Sequence, residues 1–123
     1  MATPIQVTAI LGYSASGINA QLQTAGLAVS MTGSKYVEGV MSVPTTAGGT
    51  AIPVSALANL GYAMLVNMDP TNYVQLLSAA SGTVLIKLLP GDVALFRFDG
   101  GITAPALLAH SSAVAVQYLI LEN

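Results

Sequence analysis

The chain has 123 residues, 54% of them hydrophobic and only 7% charged, with a formal net charge of −2; ordinary soluble domains are about one-quarter charged. It has no cysteine and a single histidine, which excludes disulfide frameworks, thiolate zinc sites and cysteine nucleophiles. Its three cations are Lys35, Lys87 and Arg97, the closest two ten positions apart. No local basic patch forms, so nucleic acid is not an expected partner.

Ile5, Val7, Ala9 and Leu11 alternate with Gln6 and Thr8, the pattern of a strand with one face inward. Residues 1–12 read as a core strand or as an arm or edge strand reaching a neighbour. Turn chemistry follows at 14–17 and 32–34, and Pro44, Thr45, Thr46, Gly48, Gly49 and Pro53 punctuate the next stretch. Val54–Leu60 reads as a short helical turn with Ser55 as its N-cap. In Asn67–Asn72, Asp69-Pro70 pre-sets a turn that the Asp and Asn side chains cap.

Tyr73, Gln75 and Leu77 then alternate with Val74 and Leu76. Val84, Ile86 and Leu88 oppose Leu85, Lys87 and Leu89, and Pro90-Gly91-Asp92 is expected to pair that run with Val93–Phe98 as a hairpin. Arg97 would pair with Glu122, Asp99 or a neighbouring chain. Ala104–Ala109 reads as a second short helix. At the end Val114, Val116, Tyr118 and Ile120 share a face opposite Ala115, Gln117, Leu119 and Leu121. Short strands at this spacing mark an all-β fold, a β-sandwich or barrel of roughly eight to ten strands in one domain over 1–123.

Mean hydropathy is +0.72, and residues 39–68 and 102–121 are free of charge. A spanning helix needs about 20 unbroken apolar residues. Pro44, Pro53, Asn59 and Gly61 break the first stretch, and Pro105, His110 and Gln117 the second. Neither a membrane span nor a signal peptide is expected.

Residues able to carry chemistry are scarce. One His110 does not make a zinc or iron site, which takes two or three imidazoles with carboxylate or thiolate help. No nucleophile elbow accompanies it. Asp92 and Asp99 lie at opposite ends of one strand and do not form a glycosidase pair. The Gly48-Gly49 and Gly100-Gly101 segments lack the order of a phosphate cradle. No catalytic, cofactor-binding or metal-binding residue is nominated, and the chain reads as a non-enzyme. Tyr13, Tyr36, Tyr62, Tyr73 and Tyr118 are candidates for sugar stacking, although core or interface packing is their commoner use.

Outward strand positions carry Ala, Thr, Ser, Gln and Val where free sandwiches carry Lys and Glu. Faces of this kind are aggregation-prone unless neighbours cover them, so the chain reads as a component of an assembly. The candidate contact residues are Ile5, Val7, Ala9 and Leu11 in the first strand, Pro44, Thr45, Thr46, Ile52 and Pro53 in the uncharged loop, and Arg97.

Three segments carry a family resemblance: Asn67-Met68-Asp69-Pro70-Thr71-Asn72-Tyr73-Val74, Lys87-Leu88-Leu89-Pro90-Gly91-Asp92-Val93 and Tyr118-Leu119-Ile120-Leu121-Glu122. Over residues 60–123 this order resembles small virion structural proteins of tailed bacteriophages, with their N-x-D-x-x-N-Y-V strand, K-L-x-P-G-E/D hairpin and Y-L-I-x-E last strand. The resemblance implies a β-sandwich of jelly-roll type in a particle assembled in the host bacterial cytoplasm. It implies a capsid decoration (cement) protein that binds the major capsid protein and its own copies, with a trimer favoured and no cofactor. A neck, tail or fibre protein is the alternative, and a carbohydrate-binding adhesin module the third reading.

Overall fold

A computed structural model describes residues 3–15, 17–24 and 26–123, and among them every regular element is a strand. The chain divides into two compact units, Met1–Thr32 and Gly33–Asn123, where the sequence reads as one domain. The first unit holds β1 (Thr3–Val7), β2 (Ile10–Ala15), β3 (Ile18–Gln23) and β4 (Leu27–Met31). β2 pairs with β3 and β1 with β4, all antiparallel. The Thr24 N–H donates to the Ala9 carbonyl at 3.0 Å, and the Ala9 N–H to Thr24 Oγ1 at 2.9 Å. The unit is thus one two-stranded ribbon with an irregularity part-way along, and the expected continuous strand through Ile5–Leu11 breaks at residues 8 and 9.

The second unit is a β-sandwich. Its strands are β5 (Tyr36–Val43), β6 (Thr50–Ala51), β7 (Leu60–Asn67), β8 (Val74–Leu77), β9 (Val84–Leu88), β10 (Val93–Arg97), β11 (Ala106–Ala109) and β12 (Val114–Glu122). Two antiparallel sheets form, in the orders β10-β7-β12-β5 and β6-β11-β8-β9. The hydrogen-bonded pairs include β5 with β12, β6 with β11, β7 with β10 and β8 with β9. First meets last, second meets seventh, and so inward, so the unit is a single antiparallel ribbon of eight strands wrapped over itself. Only β8 and β9 are joined within a sheet; every other connection crosses between sheets.

Period-2 alternation feeds one core from both sheets. Leu65, Val116 and Ile120 come from the first sheet, Val74, Leu76 and Leu107 from the second, and Ile52, Val54, Leu57 and Phe98 from the crossings. The two expected helices are not present. Residues 54–59 form an irregular turn whose Leu57 N–H donates to the Val54 carbonyl, Leu60 opens β7, and Ala106–Ala109 is strand β11. The expected hairpin between residues 84 and 98 is also corrected. β9 and β10 lie in different sheets, and Leu89–Asp92 carries the chain across the sandwich.

Asn67, completely buried at the end of β7, ties that crossing down. Its Nδ2 donates to the carbonyls of Asn72 (2.9 Å), Leu88 (3.1 Å) and Leu89 (3.1 Å), and its Oδ1 accepts the Asp69 N–H at 2.9 Å. Its backbone N–H meets the Asp92 carbonyl, and its own carbonyl accepts from Gly91. As expected, Asp69 caps the turn: Oδ1 accepts the N–H groups of Thr71 (2.8 Å) and Asn72 (2.6 Å). Asn72 reaches the β11–β12 connection through Ser112 Oγ at 2.9 Å.

Replacing a buried donor strands its acceptors without water. Asn67→Ala is expected to cost about 3 kcal/mol of unfolding free energy. Asn67→Asp, which offers an acceptor-only carboxylate to the same carbonyls, is expected to cost more. Denaturant titration checks both; an alanine variant within about 0.5 kcal/mol of the parent, the range of an ordinary surface change, contradicts the network's role.

Candidate interaction surfaces

Several polar side chains are committed to loop structure. Asp92 Oδ2 accepts the Leu89 N–H at 2.8 Å and Asp99 Oδ1 the Gly101 N–H at 2.8 Å, each within its own turn. His110 stacks on Tyr73 with ring centroids 4.5 Å apart, and Lys87 Nζ lies 3.9 Å from the centroid of the same ring. Tyr73, immediately before β8, thus meets both an imidazole and an ammonium, contacts that tie the β7–β8 connection to β9 and to the β11–β12 connection. Among the described residues no three His, Cys, Asp or Glu side chains converge to hold a metal ion.

Glu122 is 8% exposed, and its carboxylate accepts the N–H groups of Ala58 (2.9 Å) and Ser34 (3.1 Å). It ties the start of the second unit and the β6–β7 crossing to the last strand. Gly33 is required beside it, because a Cβ there would stand 2.4 Å from Glu122 Cγ. Within the chain Arg97 meets neither Glu122 nor Asp99: its Nη2 donates to Asn123 Oδ1, and its guanidinium lies 5.7 Å from the Tyr62 ring centroid. Glu122, drawn inward by two backbone donors, faces away from that role.

The nominated contact residues are dispersed. Ile5 and Val7 are half-buried in β1, Ala9 is exposed at the irregularity, and Leu11 is exposed in β2. In the second unit Pro44 is half-buried, and Thr45, Thr46 and Pro53 are exposed. Ile52 is 2% exposed and belongs to the core. The β6–β7 crossing folds over the sandwich, and this apolar side chain is spent on packing rather than on contact.

Two surfaces stand out, and most of their residues escaped the sequence reading. On the ribbon, Leu11 pairs with Leu22 and Tyr13 with Ala20. Directly opposed residues share a face, so this face is apolar, yet Leu11 is 75% and Leu22 73% exposed. The opposite face is mostly polar, carrying Ile10 against Gln23, Gly12 against Gln21 and Ser14 against Asn19, with Ser14 Oγ donating to Asn19 Oδ1 at 2.7 Å. The ribbon is amphipathic, and its greasy side is open.

The second surface is the outer face of the β10-β7-β12-β5 sheet. Its registered rows run Val40–Gln117–Val66–Val93 and Glu38–Leu119–Met64–Leu95, with Tyr36, Leu121, Tyr62 and Arg97 beyond. Val40, Val93, Met64, Leu95, Leu119 and Tyr36 are all exposed. A shallow depression on this face is lined by Val40, Met64, Val66, Gln117 and Leu119. The outward row of the other sheet, Leu108–Gln75–Lys87, is more polar.

No family model matches the chain, and no curated protein or solved structure shows significant similarity to it. Among the described residues no helix is long and apolar enough to cross a membrane.

Two carboxyls sit below their ordinary range. The N–H of Ala58, then that of Ser34, holds Glu122 down, aided by the charge of Lys35 and opposed by burial. Asp69 is lowered by the N–H groups of Thr71 and Asn72. With folded-state values depressed, the unfolded chain binds more protons in acid. Their stabilisation is therefore complete above the ordinary carboxylate range, about pH 4, and is lost as pH falls through the folded-state values. Melting temperature is expected to hold from neutral pH to about pH 5 and to drop below about pH 4. Glu122→Gln should melt lower at neutral pH and show a shallower acid limb; a parallel limb would remove Glu122 from the account.

Proposed function

We propose that this chain is a non-enzymatic structural protein of a tailed-bacteriophage particle, a capsid decoration protein that binds the major capsid protein and copies of itself and stabilises the shell. The observation that carries the reading is the open apolar face of the ribbon. A two-stranded ribbon alone is marginal in water, and one that exposes Leu11, Tyr13 and Leu22 is built to lie on another protein. The contact is apolar burial worth about 25 cal/mol per Å², small per copy and multiplied by a repeating lattice.

The wiring of the second unit supports the same reading. We read the nested pairs, first with last through fourth with fifth, as a jelly roll, an arrangement found in viral capsid and lectin domains. Fold alone does not choose between those two; three of the five tyrosines are taken up within the chain, while Tyr13 and Tyr36 are exposed on the two apolar surfaces. Tyr73 is covered by His110 and Lys87, Tyr118 is buried and Tyr62 lies under Arg97. The segments behind the phage resemblance are those that meet in the Asn67 network and at Glu122. They are the residues that lock the loops of such a sandwich.

The test is co-sedimentation with purified particles lacking the protein. The parent chain is expected to sediment with them, and Leu11→Ser with Leu22→Ser to weaken binding by about tenfold or more, as loss of an apolar anchor does. Particle binding unchanged by the double variant overturns the ribbon as the contact. A parent chain that stays in the supernatant overturns the shell reading, and a ligand on a glycan array would replace it with the lectin one.

A further inference from the structure

We infer that the outer face of the β10-β7-β12-β5 sheet docks onto the same face of a second copy, about a twofold axis lying in the interface and nearly parallel to the strands. The argument begins with area. Four strands about 4.8 Å apart, three of eight or nine residues and one of five, at about 3.3 Å per residue give roughly 500 Å² in projection, and more in accessible surface. Two such faces reach the ~1,000 Å² that a specific interface needs. The apolar Met64, Val66 and Leu119 lie at the middle of the face, where a water-excluding core belongs.

Charge then selects the occupant and the axis. Among the outward positions of this sheet the charged residues are Glu38 and Arg97, and they stand on opposite edge strands, β5 and β10. Arg97 is steadied there by Asn123 Oδ1 and the Tyr62 ring. A twofold axis along the strands lays β5 of each copy over β10 of the other. Glu38 then faces the Arg97 edge, one residue row away, twice per dimer. An axis across the strands would instead stack β5 on β5 and β10 on β10, bringing Glu38 towards Glu38 and Arg97 towards Arg97, which like-charge repulsion disfavours. The face is therefore self-complementary in one orientation.

The inference concerns the full chain alone in solution and does not depend on the phage reading. Sedimentation velocity across a concentration series tests it. The parent chain is expected to dimerise. Glu38→Arg and Arg97→Glu should each weaken the dimer by about tenfold, and the double swap should restore it to within about threefold. Leu119→Glu should give a monomer with its cooperative unfolding transition intact, which separates lost docking from lost fold. A parent chain that stays monomeric, one that forms a trimer, or a dimer indifferent to Leu119→Glu or not restored by the double swap overturns the proposal.

Discussion

Buried completely at the end of β7, the Asn67 side chain has no water to bond, and its amide instead meets carbonyls of the β7–β8 and β9–β10 connections. Two stretches of chain that leave one sheet and join the other are thereby held at a fixed distance, and Asn72 extends the hold to a third through Ser112. At the last strand Glu122 holds the β6–β7 crossing and the chain entering β5. A sandwich whose strands are nearly all joined by crossings lacks the local hairpins that usually set register. Polar side chains at the crossings supply that definition.

The same economy explains the surface. Most of the charged side chains cap turns or stack on rings, so strand exteriors are left to Val, Leu, Met and Tyr. Exposed apolar area on this scale marks an interaction surface rather than a solvated exterior. The open ribbon face and the outer face of the β10-β7-β12-β5 sheet are separate surfaces, one on each unit. A protein that bridges a shell and its own neighbours has use for both.

Much of this was legible in the residues. The alternation of Val116, Tyr118 and Ile120 with Gln117, Leu119 and Leu121 sets the inner and outer faces of β12, and Asp69-Pro70 with Asn72 announces its capped turn. Other features were hidden for physical reasons. Pro90-Gly91-Asp92 turns the chain equally well in a hairpin or in a crossing, and the deciding partner, Asn67, lies more than twenty residues away. Ala106–Ala109 is buried at three of its four positions, so it lacks the period-2 signal that separates a strand from a helix. Ile52 sits among prolines and threonines that suggest a loop, and only the fold of that loop over the core buries it. The division after Thr32 has no linker composition to announce it. Leu22 and Tyr13 become one surface only once β2 and β3 are paired in register.

We propose that the uncharged strand faces are covered in a repeating shell. Quantitative mass spectrometry of purified particles, counting this chain against the major capsid protein, tests that claim most directly. Hundreds of copies per particle are predicted. A handful or a few dozen would move the protein to the neck, tail or fibres, and absence from the particle would contradict the account.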